Sequence, residues 1–327
     1  MSTAPATPRR DWVMWAAAIV AAAGIVVVLW ASITEWGGVV HGNPAYALLL
    51  GLTLLACAAV LLFAFLPRKN HEPTGGRWRS GWRRVVRIIL VVLATGFIAL
   101  IAWLRPHTAE EPALAAMKSD AAVTITESPT EIVMTPTGDQ STTGVFFQPG
   151  ALVDARAYAA VLRPLAEAGH TVVIPKQPLG IAFLALGAFD EARPQHPDVT
   201  GWVVGGHSLG GTVAAIQAEG AEIDTTAPAT GLLFFASYPA TDMSTSLTIP
   251  VESISGTQDG LATPENIDAS RTDLPADTAF TIIDGASHAQ FGSYGPQPGD
   301  NTPEISNDDA RTQISEASLA FVDSVTQ

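Results

Sequence analysis

The chain has 327 residues and a formal net charge of −14, from 31 Asp and Glu against 17 Lys and Arg. The charges are unevenly distributed: residues 1–105 hold ten basic and three acidic residues, which leaves seven and 28 for residues 106–327. The acidic segment excludes nucleic acid as a partner, because phosphate contacts require clustered Lys and Arg. Because Cys57 is the single cysteine, the sequence excludes a disulfide framework. The acidic segment is large enough to fold without disulfides, which fits an outer domain in a bacterium.

Three apolar runs in the first 105 residues are each long enough to cross a hydrocarbon core of ~30 Å as a helix. They cover residues 12–33, 46–66 and 85–104 and contain no internal acidic residue. The Arg9-Arg10 pair before the first run is also typical of a cleaved twin-arginine export signal, but the two further runs argue against cleavage. The sequence therefore predicts a membrane domain over residues 1–105, with three retained transmembrane helices and the lipid bilayer as their partner.

The connections between these spans differ in positive charge, which predicts their orientation. Arg9 and Arg10 precede the first span, seven basic residues lie from Arg68 to Arg87, and the connection over residues 34–44 has none. Lys and Arg near span ends stay on the cytoplasmic side of the membrane. The asymmetry predicts a multi-pass protein of the cell membrane, with a cytoplasmic amino terminus and an extracytoplasmic chain beyond the third span.

Residues 106–120 are expected to form a linker and residues 121–327 one globular domain. Short β-rich runs alternate there with longer Ala- and Leu-rich stretches, which predicts an α/β fold whose strands are joined by crossover helices. The eight candidate strands cover residues 122–126, 131–135, 144–148, 171–175, 201–205, 231–236, 251–255 and 280–283. The candidate helices cover residues 155–168, 181–192 and 209–219.

The run Gly206-His207-Ser208-Leu209-Gly210 follows an apolar, β-branched stretch and predicts a nucleophile elbow. In such a turn the flanking glycines leave no side chain to clash, and the serine hydroxyl projects above the sheet. The following helix begins near Leu209, whose N–H has no partner within the helix. We therefore predict Ser208 as the nucleophile and the Leu209 amide as one donor of an oxyanion hole.

A nucleophilic serine needs a histidine base and a carboxylate that holds this base, in the chain order Ser, acid, His. His288 follows the last candidate strand and is the predicted base. The other histidines fit less well: three lie in the membrane part or linker, two precede Ser208, and His207 lies inside the elbow and is expected to point elsewhere. Asp259 follows the strand over residues 251–255 and is the predicted acid. Asp284 remains the alternative, although a strand-end aspartate is ordinarily a solvated turn residue.

The second oxyanion donor is expected from the loop after the third strand, where Gly150 lets the backbone turn inward. The N–H of Ala151 is the predicted donor, with Leu152 as the alternative. No residue pattern calls for a cofactor or a metal ion.

Taken together, these motifs resemble the alpha/beta hydrolases, specifically the fold-five group near the dienelactone hydrolases. The resemblance spans about residues 121–327 and leaves out the three spans. It implies a mostly parallel eight-stranded sheet, a triad of Ser208, Asp259 and His288, and an amide oxyanion hole. The chain departs from many members at Pro149, where a histidine often precedes the loop glycine. The motifs that carry the resemblance are residues 148–158, 206–210, 256–260 and 288–295.

These observations predict a membrane-anchored extracytoplasmic serine hydrolase, with carboxylic ester hydrolysis through an acyl-enzyme as the leading reaction. The connections after Pro175 and Tyr238 are too short for a large cap domain, which favours short acyl esters or exposed ester groups on larger molecules. Thioesterase, peptidase and acyltransferase chemistry use the same triad and stay open. A ligand-binding sensor domain on a hydrolase scaffold and a transport or assembly module are the non-catalytic alternatives. The oligomeric state is not encoded in any of these patterns.

Overall fold

The computed structural model describes residues 12–66 and 77–326, with backbone only at residues 77–80. It divides into two compact units: a smaller one up to Trp36 and over Tyr46–Arg105, and a larger one over Gly37–Ala45 and from Pro106 onward. The boundary after Arg105 lies where the sequence predicts the membrane domain to end. Several of the basic residues that predict the orientation lie outside the described residues: Arg9, Arg10, Arg68 and Lys69.

Three long helices account for the smaller unit, and each is long and apolar enough to cross a membrane. The qualifying stretches are Trp12–Thr34, Pro44–Phe65 and Gly81–Trp103. They agree with the predicted spans to within four residues at each end. The helices themselves are α1 (Trp12–Thr34), α3 (Pro44–Phe65) and α4 (Arg77–Trp103), and the short α2 (Trp36–His41) follows α1.

An eight-stranded sheet forms the centre of the larger unit. The strands are β1 (Val123–Glu127), β2 (Glu131–Pro136), β3 (Thr143–Gln148), β4 (Val172–Pro175), β5 (Gly201–His207), β6 (Ala229–Phe235), β7 (Val251–Gly256) and β8 (Ala279–Ile283). Their spatial order is β1-β2-β4-β3-β5-β6-β7-β8. The pairs β1/β2 and β2/β4 are antiparallel and all others are parallel. All eight predicted strands are confirmed to within one or two residues at each end.

Helices cover both faces of this sheet and enclose two apolar clusters, one on each side. They are α5 (Ala113–Ala116), α6 (Ala159–Glu167), α7 (Ala188–Ala192), α8 (Leu209–Ala221), α9 (Pro264–Ala269) and α10 (Asn307–Ser324). The predicted helix over residues 181–192 is instead a 3₁₀ turn at Ala182–Ala185 followed by α7. The break between them lies at Gly187, since a glycine weakens the interior of a helix.

Residues 106–120 differ from the prediction of a linker, since they pack onto the larger unit. The side chains of Ala109 and Ala113 are 2% and 0% exposed. The His107 N–H donates to the Leu152 carbonyl at 2.7 Å, and the Glu110 N–H donates to the Ser293 carbonyl at 2.8 Å. Small apolar side chains and backbone pairing thus make this segment part of the domain, next to two loops of the candidate site.

Candidate active site

The predicted nucleophile elbow is formed by β5, Ser208 and α8. Ser208 has φ 53° and ψ −126°, a conformation that a residue with a side chain adopts only under strain of about 1–3 kcal/mol. The turn needs glycine on both sides: a Cβ on Gly206 would lie 2.5 Å from the backbone carbon of Gly210, and one on Gly210 would collide with the carbonyl oxygens of Gln148 and Pro149. The half-buried Ser208 therefore stands at the carboxyl end of the central strand.

Two hydrogen bonds hold the backbone of the elbow. The Ser208 N–H donates to the Phe235 carbonyl at 3.0 Å. The Ser237 hydroxyl donates to the Ser208 carbonyl at 2.6 Å, so a side chain beyond the neighbouring strand β6 also supports the turn. The strained backbone of Ser208 is thus fixed from the β6 side.

Asp259 and His288 form a buried pair. Asp259 Oδ2 lies 2.8 Å from His288 Nδ1, with side-chain exposures of 0% and 1%. Asp259 Oδ1 accepts hydrogen bonds from the N–H groups of Leu261 at 2.8 Å and Ala262 at 2.7 Å. The alternative acid, Asp284, is exposed and accepts from the Thr257 hydroxyl instead, at 3.1 Å. The structure therefore brings Asp259 rather than Asp284 to His288.

The second ring nitrogen of His288, Nε2, is buried and makes no hydrogen bond within the described residues, neither to Ser208 nor to another side chain. When Nδ1–H donates to Asp259, Nε2 carries the lone pair that can accept a proton from a hydroxyl. Ser208, Asp259 and His288 follow β5, β7 and β8, whose carboxyl ends lie along one edge of the sheet. The ring of His207, the neighbour of Ser208, lies 4.5 Å from the His288 ring between centroids, so the base is placed beside the elbow.

Both predicted oxyanion donors keep their N–H groups unused within the described residues. Leu209 is the first residue of α8, where N–H groups lack intrahelical partners. In the loop after β3, the Gly150 N–H donates to the Tyr158 hydroxyl at 2.8 Å and the Leu152 N–H donates to the Gly180 carbonyl at 2.7 Å. Leu152, the alternative donor, is therefore already engaged, and Ala151 is the candidate that remains.

Tyr158 and His207 are functional candidates that the sequence reasoning missed. His207, set aside as pointing elsewhere, is fully buried against His288, and its Nδ1 lies 2.8 Å from the Tyr158 hydroxyl. Two causes lower the pKa of His207 well below its usual value: first its burial, and second the nearby ring of His288. Burial also raises the pKa of the Tyr158 hydroxyl. Tyr158 lies within the loop motif quoted for the resemblance, which is the one signal that marked it.

Asp300 was likewise not predicted, because it lies in a loop without a recognisable pattern. Its carboxylate accepts from the N–H groups of His288 at 3.2 Å, Ala289 at 2.9 Å and Gly260 at 3.0 Å. Burial raises the pKa of Asp300, but the N–H donors outweigh it and leave the pKa below its usual value. The side chain thereby joins the loop that carries Asp259 to the loop that carries His288.

Three buried glutamines support the end of β3. Gln177 Nε2 donates to Gln148 Oε1 at 2.9 Å and to the Pro149 carbonyl at 2.8 Å. Gln148 Nε2 in turn donates to Gln217 Oε1 at 3.2 Å.

Within the described part of the chain, no group of three or more His, Cys, Asp and Glu side chains is arranged to hold a metal ion.

The sheet order and the strand-turn-helix elbow define the alpha/beta hydrolase fold. A model of the Alpha/beta hydrolase family matches residues 144–312, just over half of the chain and inclusive of all five predicted site residues. The chain therefore belongs to the alpha/beta hydrolase family. No curated protein matches the sequence.

Solved structures similar to the chain come from several sources. A dienelactone hydrolase-like promiscuous phosphotriesterase from metagenomic libraries is 16% identical, with 63% of this chain and 100% of that chain covered and a TM-score of 0.47. A thermophilic esterase of Thermogutta terrifontis is 16% identical over 63% and 92% of the two chains, with a TM-score of 0.44. An alpha-beta serine hydrolase homologue from Coxiella burnetii is 15% identical over 62% and 98%, with a TM-score of 0.43.

Proposed function

We propose that the chain is a membrane-anchored serine hydrolase that cleaves carboxylic esters through Ser208, His288 and Asp259. The observation that carries the proposal is the buried Asp259–His288 pair, whose 2.8 Å contact leaves His288 Nε2 without a partner within the described residues, beside a serine on a strained elbow. A solvated surface histidine would not need a buried carboxylate behind it. This arrangement supports proton transfer from a hydroxyl.

In the first half of the proposed reaction, the Ser208 oxygen attacks the ester carbonyl carbon while His288 Nε2 takes the hydroxyl proton. The carbonyl oxygen becomes an oxyanion, which the N–H groups of Leu209 and Ala151 stabilise. The tetrahedral intermediate collapses, the carbon–oxygen bond to the alcohol breaks, and the imidazolium returns its proton to the leaving alcohol. An acyl-enzyme on Ser208 remains.

In the second half, water attacks the acyl carbon and gives its proton to His288 Nε2. The resulting intermediate releases Ser208, which regains the proton, and the carboxylic acid departs. Asp259 stabilises the imidazolium in both halves and keeps the ring in the tautomer with Nδ1–H. Two backbone N–H donors fix the other carboxylate oxygen of Asp259, so this orientation needs no rearrangement during the reaction.

The proposed location is the outer face of the cell membrane, with the amino terminus in the cytoplasm. The distribution of Lys and Arg supports this orientation. The connection Gly37–Ala45, expected outside, belongs to the same compact unit as the hydrolase domain. Asn43 Nδ2 donates to the Lys176 carbonyl at 2.9 Å and the Gly38 N–H donates to the Thr108 hydroxyl at 3.2 Å, which is consistent with one side of the membrane for both.

The direct test is labelling of the full chain, in detergent micelles, with a fluorophosphonate probe that reacts with activated serines. The wild type and a Ser324→Ala control, which changes a serine at the end of α10, should label. Ser208→Ala and His288→Ala should not label, provided that circular dichroism of each variant matches that of the folded wild type. A panel of p-nitrophenyl esters with increasing acyl length then tests ester hydrolysis and the expected preference for short chains. A folded wild type that never labels would overturn the proposal and favour a ligand-binding domain.

A further inference from the structure

In the loop from Pro149 to Val153, one backbone N–H makes no hydrogen bond within the described residues, and the other N–H groups are all engaged. Pro149 has no N–H, the Gly150 N–H donates to the Tyr158 hydroxyl at 2.8 Å, and the Leu152 N–H donates to the Gly180 carbonyl at 2.7 Å. The Val153 N–H donates to the Gly150 carbonyl at 3.1 Å. Ala151 alone in this loop donates none of the hydrogen bonds of the described residues. The direction of the Ala151 N–H therefore depends on the hydrogen bonds that hold Gly150 and Leu152 on either side of it.

The hydroxyl of Tyr158 makes two contacts that fix its proton. Its oxygen accepts from the Gly150 N–H, so its own O–H is directed to His207 Nδ1, which lies 2.8 Å away. Nδ1 can accept because burial keeps His207 neutral, and burial equally keeps the proton on Tyr158. One arrangement of protons thus satisfies both contacts, and it ties the oxyanion loop to the residue directly before Ser208.

The loop is under strain and fits tightly around these contacts. Leu152 has a φ of 60°, a left-handed conformation that is unfavourable for a residue with a branched side chain. A Cβ added to Gly150 would lie 2.7 Å from His207 Nδ1 and 3.1 Å from the Tyr158 oxygen. A strained loop of this kind keeps its shape only where the surroundings hold it. Three polar contacts hold the backbone at Gly150: Gln177 Nε2 donates to the Pro149 carbonyl, the Val153 N–H donates to the Gly150 carbonyl, and the Gly150 N–H donates to the Tyr158 hydroxyl. Of these three, the Tyr158 hydroxyl is the contact that also reaches the elbow, through His207.

We propose that Tyr158 is a positioning residue that sets the direction of the Ala151 N–H and thereby controls turnover. By holding Gly150, it fixes the orientation of the next peptide group, which carries the Ala151 N–H. By bonding to His207, it fixes this loop relative to Ser208 and Leu209, so that both oxyanion donors keep one geometry. The inference rests on the proposed function, because it assigns a partner to the oxyanion hole of that reaction.

The test compares Tyr158→Phe with the wild type, using the full chain in detergent and the best ester of the panel. We expect kcat per labelled active site to fall about 10- to 100-fold while KM changes less than about threefold, because oxyanion donors act mainly on the transition state. The affinity for a trifluoromethyl ketone, which forms an oxyanion on Ser208, should weaken by a similar factor. A purely structural role for Tyr158 would lower the number of labelled sites and leave this affinity unchanged.

Tyr294→Phe is the matched control. Tyr294 is also buried, at 4% exposure, and its hydroxyl donates to Gln297 Oε1 at 2.8 Å rather than to a group of the oxyanion loop. The same oxygen is removed there, and kcat and the ketone affinity should stay within about twofold of wild type. If Tyr158→Phe does not fold, His207→Phe, which removes the acceptor of the hydroxyl, is measured with the same two readouts.

Three results would overturn the inference: unchanged kcat and ketone affinity in Tyr158→Phe, an equal loss in Tyr294→Phe, or a rise in KM at constant kcat. A wild type that labels and hydrolyses esters while Tyr158→Phe matches it would leave the proposed function standing and remove only this inference. A wild type that hydrolyses no ester would overturn both.

Discussion

Replacement of Asp259 by asparagine tests the acid assignment with little change in shape. In the wild type, Oδ2 faces His288 Nδ1 at 2.8 Å and Oδ1 accepts two backbone N–H groups. The amide of Asp259→Asn can keep its oxygen on those two donors only by turning its NH₂ group toward His288. An NH₂ group is a donor, so Nδ1 must then accept and the ring proton moves to Nε2.

This tautomer cannot take a proton from Ser208. The expected loss in kcat is therefore about 10⁴-fold, the scale known for the acid of a Ser-His-Asp triad. A factor of this size corresponds to about 5.4 kcal/mol of transition-state stabilisation, at 1.36 kcal/mol for each tenfold. The backbone contacts of the side chain survive, so the thermal midpoint should change little.

The assay is kcat for a p-nitrophenyl ester per mole of folded protein, together with thermal unfolding. Asp284→Asn is the matched control, since Asp284 is exposed and bonds to the Thr257 hydroxyl rather than to His288. Its kcat should stay within about twofold of wild type, as is usual for surface substitutions. Activity of Asp259→Asn within tenfold of wild type, or an equal loss in Asp284→Asn, would refute this reasoning.

Three further outcomes follow from the structure. The folded-state pKa of Asp300 lies below its usual value, so the ionised carboxylate stabilises the fold above about pH 4, and this stabilisation disappears as the pH falls through the folded-state pKa. The difference in thermal midpoint between the wild type and Asp300→Asn should therefore become smaller in acid. A difference that stays constant with pH would contradict this. Gly210→Ala should abolish labelling, since its Cβ meets two carbonyl oxygens, whereas Gly220→Ala, with open space around it in the same helix, should stabilise by up to ~1 kcal/mol and label normally. Alkaline phosphatase, active only outside the cytoplasm, should be active when fused after Gln327 and inactive when fused after Leu66; the reverse pattern would overturn the orientation.

The sequence predicts the sheet and its catalytic loops well because both depend on local patterns. The strand β5 is a run of apolar and glycine residues from Gly201 to Gly206 that is buried on both faces, and such runs mark central parallel strands. The elbow and the loop at Asp259 are recognisable because they follow those strands directly. The chain order of the triad then selects His288 among seven histidines.

Features that depend on long-range packing were not predicted. Residues 106–120 read as a linker because two small alanines give no periodic signal, and their burial follows from pairing with loops far along the chain. The break at Gly187 was missed because the apolar pattern continues across it. Asp300 gave no signal at all, since its role depends on backbone N–H groups brought together only in the fold.

The four segments that carry the site are far apart in the sequence, and each is held by a polar group that takes no part in the proposed reaction. Ser237 holds the elbow, Tyr158 holds the oxyanion loop, and Asp300 joins the acid and base loops. Catalysis by fixed dipoles requires donors that are already oriented when charge develops, since reorientation during the reaction would cost energy. Buried polar groups are costly unless they are paired, so these contacts also stabilise the fold. The same side chains therefore couple the stability of the domain to the geometry of its site, and their loss should affect turnover more than substrate binding.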